Sequence, residues 1–176
     1  ETMAKTPRLP LPIPVRLGLV GDDGAIVPFR LSVDAPYLDE QVILVTGITH
    51  LQTIFPASSG KIVPSLLRNF SAPVILKDDL SSSERLHLMA HDADMFNRWD
   101  AAQKLLADQV LAIAHDPKYG VDETAIAVLA KAYANSLADP DLLDMFKSGL
   151  LTLRVVSVLE SRMTPADPVA LFHARR

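Results

Sequence analysis

Phe96-Asn97-Arg98-Trp99-Asp100-Ala101-Ala102-Gln103 is the stretch on which the fold turns. It lies inside an apolar series, Met95, Trp99, Ala102, Leu106, Val110 and Ile113, whose three- and four-residue spacing lines one face of a helix. Upstream, Ser81 with Glu84 three positions later forms a capping-box signature, so the spacing predicts one long helix over about 83–115. Further start signals follow. Asp122 precedes a helical pattern over 123–137, Asp139-Pro140 opens a short helix closed by Gly149, and Asp167-Pro168 opens another near the end of the sequence.

Toward the N-terminus the composition changes. Nine of the thirteen prolines fall within the first 76 residues, while Ala, Leu and Asp dominate the rest, which places a domain boundary at Lys77-Asp78-Asp79. The first segment reads as antiparallel strands. Val15, Leu17 and Leu19 alternate with Arg16, Gly18 and Val20, and Gly21-Asp22-Asp23-Gly24 supplies a turn into Ala25-Ile26-Val27-Pro28-Phe29, a hairpin signature. Extended runs at 41–45, 49–55 and 72–76 complete the pattern of a β-sandwich, with Pro28 expected at an edge or a bulge. The expected class is therefore α+β, with a β-sandwich domain over 1–76 followed by an all-α antiparallel helical array over 77–176.

Composition narrows the function classes. The 176 residues are 49% hydrophobic and 22% charged, enough to bury a core, and the net charge of −4 offers no basic surface for a nucleic-acid backbone. No apolar run is long enough to span a bilayer, so no membrane partner is expected. The absence of cysteine removes disulfides and thiolate metal sites and fits a cytoplasmic location.

Each chemical candidate has a simpler explanation. His87 and His91 share a helix face, with Glu84 one turn earlier as a third ligand, but Leu88 stands where a zinc hydrolase of that geometry needs its general base. Ser81-Ser82-Ser83 lacks the glycine-flanked elbow of a nucleophile and reads as helix caps. Gly21 and Gly24 flank two carboxylates, which disfavours phosphate, and Asp78-Asp79 lacks the spacing of a calcium loop. Arg98 and Asp100 flank Trp99 and read as packing residues. No catalytic, cofactor-binding or metal-ligating residue is assigned.

Two runs in fixed order, Pro64-Ser65-Leu66-Leu67-Arg68-Asn69-Phe70-Ser71-Ala72-Pro73-Val74 and then 96–103, resemble the junction of the third and fourth domains of the bacterial aminopeptidase N family of gluzincin zinc peptidases. Weaker likeness runs through 24–28 and 167–171, and Asn69 stands where that family usually has Glu. The resemblance implies a partial immunoglobulin-like sandwich, lacking strands upstream, and a helical domain that continues beyond the last helix. Zinc would belong to the parent's catalytic domain, since neither H-E-x-x-H nor G-x-M-E-N occurs in these residues. The implied partners are the parent's catalytic domain, its remaining C-terminal helices and peptide substrates. Self-association of this piece through an uncovered sheet edge is also expected. Two other classes remain open: a stand-alone sandwich-plus-helices adaptor that binds a protein, and a small zinc hydrolase built on His87 and His91.

Overall fold

The computed structural model describes residues 11–56, 60–116, 123–152 and 156–175. The chain divides into two compact units, Glu1–Leu76 and Lys77–Arg176.

In the first unit, β1 (Ile13–Val20) lies at the centre of an antiparallel sheet, between β2 (Glu40–Val45) and β3 (Val63–Leu66). Its partners exchange along its length. β2 pairs with residues 13–18 and β3 with 17–20, so Pro14, which has no N–H to donate, falls where β3 does not reach. Leu17 and Leu19 share one face and pack with the fully buried Phe29 to form the core of this unit. Among the described residues this unit is a small three-stranded sheet with outlying bridges.

The hairpin forms only as a stub. Gly24 takes the left-handed conformation at φ 81° and the turn closes by bonds from Gly21 and Gly24, but pairing stops at the Val20–Ile26 bridge. Pro28 ends it, lying outside any strand. Two expected strands are absent as such. The run 49–55 makes a single bridge, Ile54 to Arg30, because only Arg30 is available between Pro28 and the turn at 32–35. The run 72–76 makes no ladder at all: Pro73 cannot donate, and the Val74 N–H turns back to the Ala72 carbonyl at 2.9 Å. β3 was not anticipated, since a short strand containing proline carries little periodic signal.

Among the described residues the second unit contains helices and no strand: α1 (Ser82–His91), α2 (Met95–His115), α3 (Glu123–Ala138), α4 (Asp144–Leu150), α5 (Val156–Glu160) and α6 (Pro168–Ala174). The capping box at Ser81 and Glu84 is present in both directions, and Asp167 accepts from the Ala170 N–H with Pro168 in the first turn. Asp122, the cap expected for α3, lies outside the described residues. The expected single helix over 83–115 is two helices. Asp92 leaves helical geometry and its carboxylate accepts the Asp94 N–H at 2.9 Å, after which Asp94 caps α2 by accepting the Asn97 N–H at 2.9 Å. Likewise Asp139 does not start α4. Its carboxylate accepts the Asp141 N–H at 3.0 Å in a local turn, and the helix begins at Asp144 and runs through Gly149.

The buried face of α2 also differs from the expected stripe. Ala101, Ala102, Gln103, Leu105, Ala107 and Ala114 are buried, whereas Trp99 is half-buried and Met95 is exposed. Small residues let α6 approach closely, and Ala107 and Ala114 pack with Leu159 and Leu171. No helix among the described residues is long and apolar enough to cross a membrane.

Candidate functional site

The first turns of α2 hold a row of side-chain donors, and each is directed at a different main-chain carbonyl. Arg98 donates Nε to the Met89 carbonyl at 3.0 Å, near the C-terminal end of α1, where the last carbonyls of a helix lack intrahelical partners. Its guanidinium also lies 3.9 Å from Asp139, beyond α3. Burial pushes the Arg98 guanidinium down from its ordinary value, and Asp139 and Asp92 oppose that shift. Trp99 donates Nε1 to the Gly149 carbonyl in the last turn of α4 at 3.2 Å. Gln103, 1% exposed, donates Nε2 to the Thr152 carbonyl at 2.9 Å, just past the same helix. In effect α2 supplies C-terminal caps to other helices from its side. That explains why Arg, Trp and Gln stand at these positions.

One turn further on, Lys104 completes a charged group centred on Asp78. Asp78 accepts from Lys104 Nζ at 2.8 Å and from Arg85 at 2.7 Å, and it also receives the Leu80 N–H at 3.2 Å. Asp100 adds an i,i+4 pair to Lys104 at 3.0 Å. Burial raises the Asp78 carboxyl, but Lys104, the Leu80 N–H and Arg85 together outweigh it and hold the group below its ordinary 3.8. Because the folded value is the lower one, this contribution to stability is complete above the ordinary carboxylate value and is lost as pH falls through the lowered one. The partners of Asp78 at positions 85 and 104 are invisible to local sequence pattern.

In the sheet unit the first resemblance run folds into an unusual bend. Leu67, Asn69 and Phe70 all have left-handed backbone (φ 57°, 54° and 50°) around a single 3₁₀ turn, Arg68–Phe70. Asn tolerates that conformation better than Glu, which gives the Asn69 departure a local reason. Between these residues Arg68 is 4% exposed and donates Nε to Ser65 Oγ at 2.9 Å, with Glu40 at 3.7 Å. Gly18 is registered opposite Glu40 on one side and Ser65 on the other, so the guanidinium covers the row Glu40, Gly18, Ser65. A Cβ at Gly18 would collide with it.

The remaining candidates resolve locally. The His87 and His91 rings are neighbours with centroids 4.9 Å apart, yet Glu84 is drawn to the helix start, where Oε2 accepts the Ser81 N–H at 2.7 Å and the Ser81 hydroxyl at 2.6 Å. Among the described residues no group of three or more His, Cys, Asp or Glu is placed to hold a metal ion. Ser81 serves as a cap, and the Gly21–Gly24 loop as a turn. Tyr133 in α3 is pushed up to about 12 by burial. The donors of α2 are directed at main-chain carbonyls and carboxylates, which makes this row an organiser of helices.

Comparison with known proteins places the same two units in the same order. A domain of unknown function with an Ig-like fold (DUF3458) matches residues 1–79, and a domain of unknown function described as ARM repeats (DUF3458_C) matches residues 82–176. Aminopeptidase N of Caulobacter vibrioides is 34% identical over 146 residues, covering 82% of this chain and 16% of that protein. Aminopeptidase N of Escherichia coli K12 is 29% identical over 168 residues, covering 94% of this chain and 19% of that protein. The crystal structure of Legionella pneumophila aminopeptidase A in complex with aspartic acid superposes with a TM-score of 0.71 at 27% identity, over 93% of this chain and 18% of that one. The chain thus spans less than a fifth of the length of each of these relatives. With both halves matched in order, the chain belongs to the DUF3458_C family of ARM-repeat domains, joined to a DUF3458 Ig-like domain, and is a relative of bacterial aminopeptidase N.

Proposed function

We propose that this chain is the non-catalytic Ig-like and helical part of a zinc-dependent aminopeptidase N that removes N-terminal amino acids from peptides in the cytoplasm. In this reading the Ig-like unit connects a catalytic domain to the helical unit, and the helical unit restricts which peptides reach the reaction centre. The observation that carries it is the continuous likeness across both units to aminopeptidase N, over 94% of the chain in the Escherichia coli protein. The α2 row agrees with an architectural role, because its donors go to helix ends. The whole enzyme's zinc would be held in its catalytic domain, where it would act as a Lewis acid on the scissile carbonyl. The partners implied are that domain, further C-terminal helices and peptide substrates.

The purified chain is expected to show no hydrolysis of aminoacyl reporters and no stoichiometric zinc by elemental analysis, while the polypeptide from the complete reading frame hydrolyses the same reporters. Activity of the chain itself that survives repurification and disappears in His87→Ala/His91→Ala would overturn the assignment in favour of a small hydrolase. A complete reading frame without peptidase activity would favour the adaptor. Self-association is a further expectation of the isolated chain, because β2 is an outer strand of the sheet and exposes Val42 and Leu44. Light scattering over a dilution series checks it, and a monomer at every concentration counts against it.

A further inference from the structure

The hold of each unit on the connecting chain ends at a definite residue. On the sheet side the last fixed points are Ser71, whose hydroxyl accepts the Arg16 N–H at 3.0 Å, and Ala72, which is buried. On the helical side the first is Asp78, 9% exposed, bonded to Arg85 of α1 and Lys104 of α2. Between them, residues 73–77 make no hydrogen bond or ion pair except the Val74 N–H to the Ala72 carbonyl. Ile75 is 91% exposed there, and Pro73 and Lys77 are exposed as well. A segment with few buried contacts and no ladder opens at low free energy.

Beyond Asp78 the chain is closed on itself and on the helices. The Leu80 N–H returns to Asp78, the Leu80 carbonyl accepts from the Arg85 guanidinium, and Ser81 caps α1. Lys104 comes from a residue far along the sequence, and Asp100 orients its ammonium from the side. The carboxylate is thus the point at which the incoming chain is tied to two helices at once.

We infer that Asp78 is a charge latch that fixes residues 78–81 to α1 and α2 and leaves residues 73–77 as the unlatched stretch. The inference concerns this chain's own mechanics and holds whether or not the chain works within a peptidase. It also predicts that the Lys77-Asp78 bond, though exposed, is a poor protease site, because cleavage requires several residues on each side of the bond to extend into the protease.

Hydrogen exchange of the whole chain, followed residue by residue, tests this directly. In the wild type the Leu80 amide is protected, while Ile75, Leu76 and Lys77 exchange close to the unprotected rate. In Asp78→Ala the Leu80 amide exchanges at least about tenfold faster, the scale set by loss of a charge-assisted hydrogen bond, with α2 amides unchanged. Arg85→Met/Lys104→Met removes the charges but keeps Asp78 beside the scissile bond. It is expected to accelerate tryptic cleavage after Lys77 by a similar factor, and Lys104→Met alone by less. Two results overturn the latch: wild-type protection of 75–77 equal to that of α2, or Leu80 exchange and Lys77 cleavage unchanged in the variants. If the double variant loses α2 protection, the single Lys104→Met change, which leaves Arg85 in place, decides between them.

Discussion

Trp99→Ala destabilises the helical unit by about 3 kcal/mol, the lower end of the range for removing a large aromatic from a packed site. The lower end applies because the ring is half-buried, with Phe96 beside it at a centroid distance of 5.7 Å. Two effects contribute. The indole body fills space between α2 and α4, and its N–H is one of the donors that caps Gly149. The capped carbonyl also accepts the Thr152 N–H at 3.2 Å, so truncation does not leave it orphaned, and packing is the larger part. For a unit of this size the thermal midpoint should fall by roughly 10–20 °C. Trp99→Phe keeps most of the area and loses only the bond, so it should cost about 1 kcal/mol. Far-UV circular dichroism on heating reads both. A midpoint unchanged in Trp99→Ala would show that the indole is not part of the packing between α2 and α4.

The features legible in the sequence are those whose cause is local. The Ser81–Glu84 pair, Asp167 before Pro168, and the Gly21–Gly24 aspartate turn each satisfy backbone groups within one turn of chain and appear where expected, whereas the same Asp-Pro signal at Asp139 gives only a local turn. Local signals are also present for the break between α1 and α2: Asp92 and Asp94 are cap residues, and they lie between the Ser81 start and the apolar series that opens at Met95. The phase of α2 was harder to read. Its buried face is made of alanines and Gln103, which a hydrophobicity pattern weights lightly, and Gln103 is inside only because the Thr152 carbonyl is there to receive it. Strands suffered most. Whether 49–55 or 72–76 becomes a strand depends on a distant partner with free N–H and C=O groups, and residues 28–35 offer just one position to the first run. The Asp78 group and the Arg68 cover belong to the same kind: both depend on partners brought together only by folding.

The Arg68 cover makes the strongest test of the sheet unit, because it couples a residue with no side chain to a buried cation. Gly18→Ala should cost about 2 kcal/mol, since the new methyl enters space held by the guanidinium on the central strand. Arg68→Ala should cost a similar amount, about 2 kcal/mol, through loss of the bond to Ser65 and the approach to Glu40. Glu40 remains partly solvated, which keeps this below the loss for a fully buried pair. The two changes are not independent. With Arg68 gone, the three atoms nearest the methyl at Gly18 are removed, so the double variant should be more stable than the sum of the single effects by at least about 1 kcal/mol. Arg68→Lys, whose compact ammonium cannot span from Ser65 to Glu40 as the planar fork does, should behave like the alanine variant. Urea unfolding followed by amide exchange in β1 measures the cycle within the sheet unit. Additivity of the two single changes to within about 0.5 kcal/mol would show that the guanidinium moves aside freely and that Gly18 is not there to make room for it.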